Sequence, residues 1–144
     1  MRTKLLLSLV MLLCSSTLSM AQSTLIATLS HSGQVKAFYG ASALNSAHAA
    51  AVDGDVITLS SGTFTSCNIT KAITLRGAGM VSNPATQTFP TYISGDFNIS
   101  TYNTSKRILM EGLNCEGEIG YVSSIEQPVF QKCIFNLKSA TYRV

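Results

Sequence analysis

Leu113-Asn114-Cys115-Glu116 and Phe135-Asn136-Leu137-Lys138 are the two stretches whose comparison decides the fold. They stand 22 positions apart, and the same shift carries Ile108 onto Phe130. In both, the first and third residues are apolar, the second is Asn, and the fourth is charged, with opposite sign in the two copies. Short extended stretches repeating near this period are what a stacked solenoid coil needs. Equivalent residues in successive coils lie one strand spacing apart, about 4.8 Å. The repeat therefore predicts Leu113 under Phe135 and Cys115 under Leu137 in a core. It predicts Asn114 and Asn136 sharing a side-chain hydrogen bond. It also predicts an exposed Glu116–Lys138 pair, worth at most about 1 kcal/mol.

Upstream, the same texture continues. Val56-Ile57-Thr58-Leu59 reads as a strand, and Ser60-Ser61-Gly62 turns the chain. Thr63 to Thr65, Ile73 to Leu75, Tyr92 to Ser94 and Phe97 to Ile99 are further short strands. Val81 to Pro90, with two prolines, reads as a protruding loop. Before Gly54 the pattern differs. Thr24 to Leu29 and Val35 to Tyr39 are extended stretches, parted by His31-Ser32-Gly33. Ser42 to Val52 is Ala-rich and helical, with Leu44, Ala47 and Ala51 on one face, Ser42 as its cap, and Asp53-Gly54 ending it.

The first 21 residues read as a secretory signal. Arg2 and Lys4 precede an apolar run from Leu5 to Cys14, too short to span a bilayer as a stable helix. Ser19-Met20-Ala21 places small residues where a signal peptidase inspects them, so cleavage before Gln22 is expected. Lipidation at Cys14 is the alternative, and bulky Leu13 before it argues against that route. The chain has ten Lys and Arg against seven Asp and Glu. Two of the basic residues fall in the signal, so the mature balance is near neutral and offers no basic stripe for nucleic acid. No later apolar run is long enough to cross a membrane. Cys67, Cys115 and Cys133 would remain after cleavage, an odd set with no zinc spacing, best read as small buried residues.

The run Gly54-Asp-Val-Ile-Thr-Leu-Ser-Ser-Gly-Thr-Phe64, followed by Ile73-Thr-Leu-Arg-Gly-Ala-Gly79, resembles the opening of pectin-lyase-like right-handed β-helix proteins. The lead-in Phe38-Tyr39-Gly40 and the stretch Ile69 to Met80 look most like exported proteins of the Bacteroides group. The resemblance covers about residues 24–137. It implies an all-β, right-handed parallel β-helix with an N-terminal capping α-helix. In that reading residues 1–21 are the signal peptide, 22–55 the N-terminal strand and capping helix, and 56–144 the first coils. Ser139 to Val144 begins another extended segment without a visible cap, so further coils of a longer chain are expected.

Candidate chemistry is sparse. Asp53 and Asp55 flank Gly54, where turn formation explains them. Asp96 follows Gly95 and reads as a turn residue. Glu111, Glu116 and Glu118 lie near one another, and Glu116 and Glu118 share a face if the strand continues past Gly117. Paired carboxylates of that kind hold Ca²⁺ or hydrolyse glycosides, but are also common on solvated strands. His31 and His48 have no Cys, Asp or Ser partner at a recognisable spacing. Gly77-Ala-Gly-Met80 lacks the helix that dinucleotide binding needs. The family's lyases carry calcium-binding aspartates and a catalytic arginine on later coils, and no residue here matches them. Arg76 therefore reads as structural, bonding turn carbonyls. Three Asn-X-Ser/Thr triplets begin at Asn68, Asn98 and Asn103, and matter only in a eukaryotic secretory route. No catalytic, cofactor or metal residue is assigned. The expectation is an exported β-helix protein of the cell surface, extracellular space or periplasm, associated with carbohydrate and not itself catalytic. One alternative is the N-terminal part of a polysaccharide lyase or glycoside hydrolase whose site lies in missing coils. The other is an adhesin or spacer.

Overall fold

The computed structural model describes residues 24–86, 88–100, 106–121 and 128–136. Residues 1–21, read above as a signal, lie outside the described residues, as do Leu137, Lys138, Ser139 to Val144 and Asn103. The chain is mostly β, with one short helix. Strands β1 (Ile26–His31) and β2 (Gln34–Tyr39) precede helix α1 (Ala43–Ala50). Then come β3 (Val56–Leu59), β4 (Gly62–Thr65), β5 (Thr74–Arg76), β6 (Thr91–Ser94) and β7 (Phe97–Ile99). The described part closes with β8 (Leu109–Glu111), β9 (Leu113–Glu116), β10 (Ile119–Tyr121), β11 (Val129–Gln131) and β12 (Ile134–Asn136).

The strands sort into three sheets that the chain visits in rotation. One has the order β11-β8-β5-β3-β1-β2, a second the order β12-β9-β6-β4, and a third pairs β10 with β7. β1 runs antiparallel to both β2 and β3, and among the described residues every pairing of strands within β3 to β12 is parallel. An isolated parallel bridge, Ile69 to Ile99, adds to the third sheet. Parallel neighbours need long crossovers, which here are supplied by passage through the other sheets.

Side-chain registry explains why these short strands hold together. In the first sheet Leu29, Ile57, Leu75, Met110 and Phe130 are successive register partners. The first four are buried and Phe130 is packed against the core. In the second sheet Phe64, Ile93, Cys115 and Phe135 form the corresponding row. Three-residue strands cannot be stable alone. Each becomes stable by laying one apolar side chain on an equivalent in the next strand, worth about 1.5–3 kcal/mol per fully buried Leu or Ile. Phe130 and Phe135 meet edge to face, with centroids 5.1 Å apart. Thr91 is the most deeply buried of the polar residues described. It is fully buried, donates to Ser60 O at 2.9 Å and accepts from Ala78 N–H at 2.8 Å. Among the described residues no buried side-chain nitrogen or oxygen lacks a partner.

Two expectations need correction. The 22-residue period holds between β6 and β9, where Ile93 lies beside Cys115, and between β7 and β10, where Phe97 lies beside Ile119. The next circuit is two residues shorter. Phe130 partners Met110 instead of Ile108, and Phe135 partners Cys115 instead of Leu113. A slip of two keeps every side chain on its own face, so the apolar row survives. The pairings with Leu137 and Lys138 fall outside the described residues. The second correction concerns the helix start. Ser42 makes no side-chain capping bond; instead Gly40 O accepts from Ala43 N–H at 3.0 Å.

Helix α1 packs against β1, β2, β3 and β4 through Ala43, Leu44, Ala47 and His48. Its small side chains let it lie close to the strands. Lys71 finishes it, with Nζ donating to His48 O at 2.7 Å and to Ala49 O at 2.9 Å, where the helix dipole favours a cation. The helix ends earlier than expected: Ala51 is already extended, with φ −71° and ψ 161°, and Gly54, with a φ of +94°, turns the chain three residues later instead of terminating the helix.

Candidate functional site

The β1–β2 hairpin creates a cluster that residue spacing conceals. Ser32 and Gly33 form its two-residue turn, both with positive φ, at 47° and 79°. Ser30 is the register partner of Val56, so the antiparallel pairing brings His31 beside Asp55. His31 Nδ1 lies 2.6 Å from Asp55 Oδ1, and His31 Nε2 lies 3.3 Å from Ser32 Oγ. Residue spacing offered His31 no recognisable Asp or Ser partner, and the structure supplies one that spacing does not reveal. The partner stands 24 residues away, across a strand pairing of opposite direction.

Asp55 is buried, and its second oxygen accepts from Val52 N–H at 2.8 Å. Burial by itself opposes ionisation of this carboxyl. The Val52 amide, the His31 hydrogen bond and charge, and the Lys106 charge outweigh it and hold the group below its ordinary range. In order the three residues are hydroxyl, imidazole and orienting carboxylate, the sequence of groups a serine hydrolase uses. Here, however, the hydroxyl and imidazole belong to neighbouring residues on an exposed turn, at a distance longer than usual for a hydroxyl donor. The geometry is that of a clamp. Asp55 fixes the hairpin tip through His31 and the chain beyond α1 through Val52.

The other singled-out residues are separate. His48 is buried, and its Nε2 accepts from Thr70 N–H at 3.2 Å. Burial first, and the Lys71 charge second, push its pKa below the ordinary value. Asp53 Oδ1 accepts from Ala72 N–H at 2.7 Å. Asp96 Oδ1 accepts from Glu118 N–H at 2.9 Å, joining β7 to the start of β10. Arg76 pairs with Glu111 of the adjacent strand at 3.3 Å, not with turn carbonyls as expected. Glu116 and Glu118 do not share one strand face. Gly117 between them takes a φ of +147° and separates β9 from β10. Cys67 and Cys115 are buried free thiols, pushed up to about 11 and about 12 by burial, with Cys133 adding to the latter. Cys133 is also raised, by burial first, and its thiol donates to Gln131 O and Met110 O. A raised thiol pKa leaves little of the nucleophilic thiolate at neutral pH. Among the described residues no three His, Cys, Asp or Glu side chains gather closely enough to hold a metal ion, and no helix is long and apolar enough to cross a membrane.

What the outer surface offers is a set of rungs. Asn98 Nδ2 donates to Asn68 Oδ1 at 3.3 Å, and Asn136 Nδ2 donates to Asn114 Oδ1 at 2.9 Å. Thr65, Ser94 and Glu116 are successive register partners, all exposed. Beside them run exposed Thr63, half-buried Tyr92 and Asn114, which is itself buried. The second sheet thus presents the hydroxyls of Thr63, Thr65 and Ser94, the Glu116 carboxylate, the Asn136 amide and the half-buried Tyr92 ring at strand spacing, while the Asn68–Asn98 rung lies on the third.

The class these observations define is a β-rich chain with parallel sheets and one short helix. Compared with models of protein families, with curated proteins and with solved structures, the chain matches none.

Proposed function

We propose that the three sheets are the faces of a right-handed parallel β-helix of the pectin-lyase-like kind, and that the protein is exported and binds polysaccharide along the outer face of the second sheet without cleaving it. The rotation of the chain through three sheets in parallel register supports the helix, and parallel crossovers are right-handed in nearly all proteins. The antiparallel hairpin and α1 then cap the first coil. The observation that carries the functional reading is the polar row Thr65-Ser94-Glu116 beside Tyr92. A sugar chain presents hydroxyls at regular intervals, and a ladder of hydroxyl, amide and carboxylate groups beside an aromatic ring is suited to meet them. The signal-like start supports export. The clamp role of His31 and Asp55 supports binding without catalysis.

The test is retention of the purified protein on a panel of immobilised neutral and acidic polysaccharides, with Tyr92→Ala as the comparison. Binding to one polysaccharide class, weakened by Tyr92→Ala without loss of fold, is expected. Failure to bind any glycan, or release of shortened sugars, contradicts the reading. Mass spectrometry of the exported protein, with Gln22 expected as its first residue, tests export separately.

A further inference from the structure

We infer that the outer edge of β2 pairs with the same edge of a second copy of this chain, antiparallel, about a two-fold axis at Ala37. β2 ends the six-stranded sheet, and among the described residues no strand pairs with its outer side. Edge strands are usually short, bulged or guarded by charge. β2 is six residues long, as is β1, against three or four for every other strand. Its one charged residue, Lys36, is exposed and holds its Nζ 5.1 Å from the centroid of the Phe38 ring in its own strand, so its charge limits which registers a partner strand can take.

Backbone registry says which groups face outward. Gly40 N–H donates to Leu25 O at 2.9 Å, so Leu25–Gly40 is a hydrogen-bonded pair of the hairpin. Hydrogen-bonded and non-bonded pairs alternate along antiparallel strands. The intervening pairs Ile26–Tyr39, Thr28–Ala37 and Ser30–Val35 are therefore non-bonded, and Val35, Ala37 and Tyr39 turn their N–H and C=O groups away from β1. The same three residues share one face. Val35 is 69% and Tyr39 67% exposed, an unusual exposure for large apolar residues beside an open edge.

A two-fold copy can meet this edge only in registers that keep faces matched. Centring on Ala37 sets Val35 opposite Tyr39 twice, an apolar pair on each side of the axis, and Lys36 opposite Phe38, a cation over a ring. Centring on Lys36 sets two ammonium groups directly opposite each other, which like-charge repulsion disfavours. The Ala37 register therefore satisfies the outward N–H and C=O groups and sets the exposed Val35 and Tyr39 side chains against one another. An isologous contact of this kind closes after two copies, whereas a head-to-tail contact propagates into a filament.

Sedimentation equilibrium of the purified protein across the micromolar range tests the inference. A species of twice the chain mass is expected. Ala37→Lys and Ala37→Glu each bring like charges together at the axis and are expected to weaken dimerisation at least about tenfold. Mixing the two variants is expected to restore the doubled mass as a heterodimer. Ala37 is exposed and its N–H is not used by the hairpin, so both variants should melt like the parent. A monomer at every concentration overturns the inference. So does a dimer that both variants leave unchanged, and so does failure of the mixture to recover.

Discussion

Asn136 donates from Nδ2 to Oδ1 of Asn114 over 2.9 Å, although its register partner is Glu116 and not Asn114. The amide bond is diagonal. Both side chains leave the same face of the sheet two positions apart, within reach across one strand spacing. An amide rung thus tolerates a circuit two residues shorter than its neighbour. Replacing Asn136 by Ala removes the donor at a half-open site. The expected loss is about 1 kcal/mol in urea unfolding. An unchanged midpoint would show the rung to be inert.

The row Leu29-Ile57-Leu75-Met110-Phe130 carries the first sheet, and Leu75 is its centre. Leu75 is fully buried, with neighbours above and below that cannot collapse toward each other. Leu75→Ala is expected to cost about 2–5 kcal/mol. Ile57→Val, which removes one methylene, should cost about 0.5–1.5 kcal/mol. Equal effects for the two in urea unfolding would contradict the stacking.

Stability should fall on mild acidification because of His48. Its folded pKa is lowered, so the unfolded chain binds the proton more readily. The stabilisation is complete above the ordinary imidazole value of about 6.5 and is lost as pH falls below it. His48→Gln keeps an acceptor for Thr70 N–H and has no proton to gain. Melting temperature should drop between about pH 7.5 and 5.5 in the parent and stay flat in the variant. Asp55, whose pKa is also lowered but from the carboxylate range, adds a second loss at more acidic pH, as protonation passes through its folded pKa.

Gly117 cannot carry a side chain without displacing backbone. A Cβ there would stand 2.5 Å from Gly95 O, at a φ of +147°. Gly117→Ala is expected to destabilise by about 1–3 kcal/mol, and differential scanning calorimetry would register it as a lower melting temperature. A neutral result would mean that β9 and β10 do not turn as closely over Gly95 as described.

Much of the strand pattern could be read from residue order, because an apolar residue every second position is a local signal. Val56 to Leu59 and Phe97 to Ile99 begin and end where the alternation says. The Asn114–Asn136 bond was also legible, since both residues occupy the same place in a repeated stretch. The exact register of the last circuit was not. Leu113 and Cys115 are both buried and apolar, and Phe135 can lie over either with its face unchanged. The His31–Asp55 clamp was hidden for another reason. It depends on β1 running against β3, and no local feature of Ile26 to His31 states a direction. The only clue was Ser32-Gly33, a dipeptide that accepts the positive φ a tight hairpin demands.

The parallel stacking of successive circuits is tested most directly by paired cysteines on the exposed row of the second sheet. Thr65→Cys with Ser94→Cys, and Ser94→Cys with Glu116→Cys, place thiols on adjacent register partners, about one strand spacing apart. Both pairs should form disulfides under mild oxidation. Thr65→Cys with Glu116→Cys should not, because two spacings, about 9.6 Å, exceed the reach of the bond. Crosslinking of the third pair, or of none, would contradict the account.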